Sequence, residues 1–174
     1  SFAKGRQNIM TIEKQSFISK LTKIFKDNGF SKFLSLEVSE KFLSLTDWLL
    51  EGSIDFNFIS ESLLPIQCEK GSAPLKVGKM EYDAIIVPDC ETLRSTTLER
   101  LEKFREAGGK LLFIGSAPSL ENGIPSERGK ALYEKSKVIP FSREDILSSL
   151  EDNREITLRF ENGKAVEAKA EKGE

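Results

Sequence analysis

The sequence predicts an α/β domain on a mostly parallel sheet, and three observations carry that prediction. Two short apolar runs, Asp83-Ala84-Ile85-Ile86-Val87 and Lys110-Leu111-Leu112-Phe113-Ile114, lack the polar alternation of a half-exposed strand and fit strands covered on both faces. Between them Leu98, Leu101 and Phe104 recur at helical spacing over 97–107, and Gly108-Gly109 follows as a stop. Strand, helix and strand in so short a span make a βαβ unit, whose crossover is parallel and almost always right-handed.

The remaining elements follow in order. Asn8-Ile9-Met10-Thr11-Ile12 fits a short strand, and Phe17, Ile18, Leu21, Ile24 and Phe25 are spaced as one face of a helix over 13–28 closed by Gly29. Residues 32–38 alternate polar and apolar and read as a strand. Ser39 then reads as the N-cap of a helix to Glu51, with Phe42, Leu43, Trp48, Leu49 and Leu50 inward and Gly52 as its end. Ile54, Phe56 and Phe58 alternate with Asp55 and Asn57, which predicts a strand over 54–59. Pro65, Gly71, Pro74 and Gly78 break the next stretch into a loop with one short strand at 75–77. Thr96 and Glu99 have capping-box spacing before the central helix. After the second apolar run, 116–125 reads as a loop and 127–136 as a short helix. Ser142 and Asp145 then cap a helix that turns Ile146, Leu147 and Leu150 inward. Ile156, Leu158 and Phe160 alternate as a strand, Asn162-Gly163 signals a hairpin turn, and Ala165-Val166 begins the return. Residues 169–174 read as a charged, disordered tail.

Composition bounds the function. At 174 residues the chain has the length of one domain, enough to bury about two-thirds of its unfolded surface. Charged residues at 31% against 39% hydrophobic is the balance of a folded, water-soluble protein. The net charge of −2 gives no electrostatic footprint for nucleic acid or an anionic membrane. No apolar run reaches the length of a membrane span. The chain opens at Ser1-Phe2-Ala3-Lys4 without Met, as an excised piece of a longer polypeptide would. Cys68 and Cys90 have neither metal-ligand nor redox spacing and read as two free thiols. The chain contains no histidine. Imidazole is the usual general base for a Ser or Cys nucleophile and the commonest nitrogen ligand of zinc. A Ser-His-Asp or Cys-His-Glu triad therefore cannot be assembled from this chain alone, and no metal or other cofactor is implied.

Ligands of open parallel sheets sit outside the carboxyl ends of the strands, and two loops occupy that place. In Pro88-Asp89-Cys90-Glu91, the carboxylates of Asp89 and Glu91 could serve as acid and base or bind a cation. The plainer reading is a turn-capping Asp89 and a solvated Glu91. In Gly115-Ser116-Ala117-Pro118-Ser119, Gly115 and Ser116 could cradle an anion, or simply form a tight turn out of the sheet. Neither phosphate-binding glycine motif nor a G-x-S-x-G elbow is present. The 12 Phe, against 1 Trp and 2 Tyr, fall mostly at core spacings and read as packing rather than as a sugar-stacking face.

With these residues placed, a family resemblance emerges. Tyr82-Asp83-Ala84-Ile85-Ile86-Val87-Pro88, Thr92-Leu93, the helix from Thr97 to Phe104, and Gly108-Gly109-Lys110-Leu111-Leu112-Phe113-Ile114-Gly115 resemble the glutamine-amidotransferase-like domain of large bacterial glycoside hydrolases. The trimerisation domain of certain beta-galactosidases belongs to the same broad group. Asp55-Phe56-Asn57-Phe58-Ile59-Ser60-Glu61 is similar to the acidic-aromatic strand of those domains, with Asn57 and Ser60 where acidic residues are more usual. The resemblance spans residues 39–160, leaving 1–38 as a boundary segment and 161–174 as a hairpin end and tail. It implies a flavodoxin-like three-layer sandwich of the class I amidotransferase type, beside a separate sugar-cleaving domain. It also implies packing against other domains of the parent polypeptide or homo-oligomer contacts. Active class I relatives carry a cysteine nucleophile in a G-x-C-x-G elbow after the strand ending here at Ile114; Ala117 stands at that position, and the partner histidine is missing. The expectation is a non-catalytic accessory domain. The alternatives are a free-standing small hydrolase using Asp89 and Glu91, or a ligand-binding module of the same fold using the loops at Asp89/Glu91 and Gly115/Ser116.

Overall fold

The computed structural model describes residues 8–13, 30–154, 156–161 and 164–170, with side-chain surroundings for Met10 and for 40–154. The helix expected over 13–28 lies outside these residues apart from Glu13, which ends a strand instead. Five strands form the parallel part of the sheet: β1 (Asn8–Glu13), β2 (Phe56–Ser60), β4 (Met80–Val87), β6 (Lys110–Ile114) and β9 (Lys137–Ile139). Their spatial order is β2-β1-β4-β6-β9, and every neighbouring pair runs parallel. Counted along the chain, these strands lie in the order 2-1-3-4-5. A sixth strand, β3 (Leu75–Val77), hairpins antiparallel onto the start of β4.

Alternation along the two central strands builds the core. Ile85 and Val87 of β4 and Leu111 and Phe113 of β6 point to one face. There they meet α2 (Leu64–Gln67), α3 (Ser95–Glu106) and α4 (Arg128–Glu134) through Leu64, Leu98, Leu101, Phe104 and Leu132. Ala84, Ile86, Leu112 and Ile114 point the other way, against Leu45 and Leu49 of α1 (Phe30–Glu51) and Ile146 and Leu147 of α5 (Arg143–Ser149). The result is helices, sheet, helices: three layers, with the central strands dry on both sides as their unbroken apolar runs predict.

Several boundaries differ from the sequence reading. Residues 32–38 are helical, and Ser39 lies inside α1 rather than capping it. The alternation there is too short to discriminate. Leu34, Val38, Phe42, Leu45 and Leu49 form a stripe at three- and four-residue steps, unbroken by Gly or Pro, and that longer period prevails. Leu45 and Leu49 are buried while Leu43 and Leu50 are exposed, so the inward face is rotated from the one expected. At the helix end the left-handed residue is Ser53 (φ 54°), not Gly52, and the amide of Ile54 reaches back to the carbonyl of Leu49. A Cβ on Gly52 would stand 2.4 Å from Leu147 Cδ2, so a larger residue there must displace that side chain where α5 crosses.

The capping box at Thr96 and Glu99 does not form. The N-cap of α3 is Arg94, with no side-chain cap of its own. Distant residues supply the acceptors: Glu61 Oε1 takes the amide of Arg94 at 2.9 Å, and Asn122 Oδ1 takes that of Ser95 at 3.1 Å. Glu99 pairs instead with Lys103, one turn on. The loop expected over 116–125 holds a two-residue hairpin, β7 (Leu120–Glu121) and β8 (Ile124–Pro125). It turns through Asn122 (φ 53°) and Gly123 (φ 81°), and β7 also pairs parallel with β5 (Thr92–Leu93). The C-terminal strands β10 (Ile156–Glu161) and β11 (Lys164–Ala170) form the expected antiparallel hairpin, which runs into the stretch read as tail. Among the described residues no helix is long and apolar enough to cross a membrane.

Candidate functional site

The strand order reverses between β1 and β4, and the loop leaving β4 at that switch point begins Pro88-Asp89. The turn leaving β6, the next strand over, begins Gly115-Ser116. Three of the four residues singled out from sequence meet here. Asp89 Oδ1 accepts the amide of Ser116 at 3.0 Å, and Oδ2 lies 3.3 Å from the ammonium of Lys41, which reaches across from α1. Gly115 takes φ +88°, and a Cβ there would stand 2.8 Å from both Cβ and Cγ of Asp89. Two independent constraints, the left-handed backbone and the contact, therefore require glycine. The carbonyl of Gly115 accepts the phenolic hydroxyl of Tyr133 from α4 at 2.9 Å, and the Tyr133 ring packs edge-on against Phe113.

Glu91 does not join them. It is exposed, and its backbone carbonyl accepts the amides of Ser119 and Leu120, both at 2.9 Å, which seats the β7–β8 hairpin. Asp89 thus engages the segment after β6 through its carboxylate, and Glu91 through its backbone carbonyl. Cys90 is buried between them in sequence, and Cys68 is buried in the same apolar layer. Burial pushes the Cys68 thiol above its ordinary value, against the opposing pull of Arg100, so it is not an activated thiolate.

Lys41 and Tyr133 were not visible as partners from sequence. Each sits on a helix whose approach to the strand ends depends on the tertiary fold, and neither lies in a motif. Among the described residues, no group of three or more Cys, Asp or Glu is arranged to hold a metal ion. No family model, no curated protein and no solved structure matches the chain.

Proposed function

We propose that this chain is a non-catalytic α/β module that packs against other domains of a larger sugar-cleaving polypeptide. The strand order 2-1-3-4-5 is that of flavodoxin-like doubly wound sheets, which agrees with the fold implied by the amidotransferase-like resemblance. The functional side rests on one observation. At the switch point, where such sheets bind ligands, the carboxylate of Asp89 is tied to the Ser116 amide and Lys41, and Gly115 is pressed against it. The groups that could act on a ligand hold the two loops together instead. The chemistry is also missing its usual parts, with Ala117 at the elbow and no imidazole in the chain. On the outer side of α1, Leu43 and Leu50 are 59% and 63% exposed and lie about two turns apart. They form an apolar pair of the sort that a neighbouring domain covers.

The test is a turnover assay on the purified chain, following ammonia release from glutamine and nitrophenol release from a panel of nitrophenyl glycosides. Rates indistinguishable from buffer are expected for the wild type and for Asp89→Asn. Turnover of either substrate that disappears in Asp89→Asn would refute the proposal.

A further inference from the structure

At the opposite, amino-terminal edge of the sheet lies a cavity of about 440 Å³. Its wall includes Asp83 of β4, Lys110 at the start of β6, the Gly108-Gly109 turn between α3 and β6, and Asp152 and Asn153 of the 3-10 turn after α5. The volume lies within the range of small-molecule sites.

Its lining is arranged in three ways that bear on a ligand. Asp83 is a bulge residue: Asn8 pairs with Tyr82 and Ile9 with Ala84, so Asp83 has no partner on β1. Bulges of this kind re-aim a side chain, here toward the cavity that Asp83 lines. Two of the lining residues are glycines. Gly108 has φ +89° with open space where a Cβ would be, so a ligand can approach its main chain, while Gly109 makes room for the buried Phe104 ring. Third, the lining carries charges of both signs. Lys110 Nζ donates to Asn153 Oδ1 at 2.8 Å, and Asp152 is its nearby counter-charge. Asn153 is itself buried and fixes that ammonium in place. Among the described residues no cation pairs with Asp83.

We propose that this cavity binds a small zwitterion of the size and charge of a free α-amino acid. Its ammonium lies toward Asp83 and its carboxylate takes N–H groups of Lys110 beyond the one given to Asn153. An ammonium has three donors, and a single amide oxygen engages one of them. Burial holds the Lys110 ammonium below its ordinary pKa with Lys137 adding to the effect, so an incoming carboxylate relieves an unfavourable charge. A simple anion meets the two carboxylates, and a simple cation meets Lys110. Only a molecule carrying both charges satisfies both ends. This site is independent of the strand-end loops and of the module's proposed role.

Glycine is the smallest probe, and acetate and methylammonium are its two halves. Amide signals of Gly108, Gly109 and Lys110 are followed in nitrogen-15 spectra of the whole chain as each is added. Glycine is expected to shift these signals saturably, with acetate and methylammonium at least tenfold weaker. Asp83→Asn, an exposed position whose change leaves the core intact, is expected to weaken glycine at least tenfold without altering signals elsewhere. Absence of a saturable shift with glycine overturns the proposal. So does either half binding as well as glycine, and so does undiminished binding by Asp83→Asn.

Discussion

Gly115 leaves β6 in a left-handed conformation with Asp89 packed where its side chain would begin. Gly115→Ala must either move the β4 loop or strain the turn, and a loss of about 2–3 kcal/mol in urea unfolding is expected. Cys68 gives a pH-dependent counterpart. Its thiol pKa is raised above 9.0 in the native state by burial, so above about pH 9 the folded chain retains a proton that the unfolded chain releases. The slope of stability with pH is then negative. The contribution is fully present below 9.0 and is lost as pH rises through the folded value. Tyr82, raised above 10.0 for the same reason, adds a second loss of the same sign. Stability measured between about pH 8 and about pH 10 is expected to fall less steeply in Cys68→Ala than in the wild type. At this scale the sequence singles out Asp89, Glu91, Gly115 and Ser116 because strand-end loops follow directly from the two apolar runs. It could not find Lys41, whose bond to Asp89 spans the chain from α1.

The elements are fastened by a few polar side chains that act at a distance. Arg128 of α4 binds both oxygens of Glu102 on α3, at 2.8 and 2.7 Å, and Glu121 of β7 at 2.9 Å. The guanidinium geometry suits this double grip, and an ammonium does not. Because all three side chains are partly solvated, Arg128→Lys is expected to cost only about 1 kcal/mol in thermal or urea unfolding. Ser142→Ala removes the acceptor of the Asp145 amide at the start of α5 and should cost a similar amount, about 1 kcal/mol. That cap was legible because both of its residues lie in the first turn of the helix or beside it. The cap of α3 was not, since Glu61 and Asn122 come from other elements. The hairpin at Asn122-Gly123 read only as loop, because its flanking strands are two residues each, too short to show alternation.

At the scale of the whole molecule, the βαβ unit through β4, α3 and β6 could be read directly, since buried strands and an amphipathic helix have distinct periods. The order β2-β1-β4 could not, because which strand lies beside which is decided by packing of α1 and α5 on one face and α2, α3 and α4 on the other. The same packing separates two ends: carboxyl ends latched by Asp89, and amino ends with an open, charged cavity. Whether the first is a latch or a working site can be read from stability alone. Groups held for catalysis or binding are commonly under strain, and their removal leaves a fold equally or more stable, whereas removing a latch weakens it. The decisive measurement is the unfolding free energy of Asp89→Asn against the wild type. A latch gives a loss of about 1–2 kcal/mol, from a weakened bond to the Ser116 amide and a lost pairing with Lys41. A variant as stable as the wild type, or more so, would contradict it.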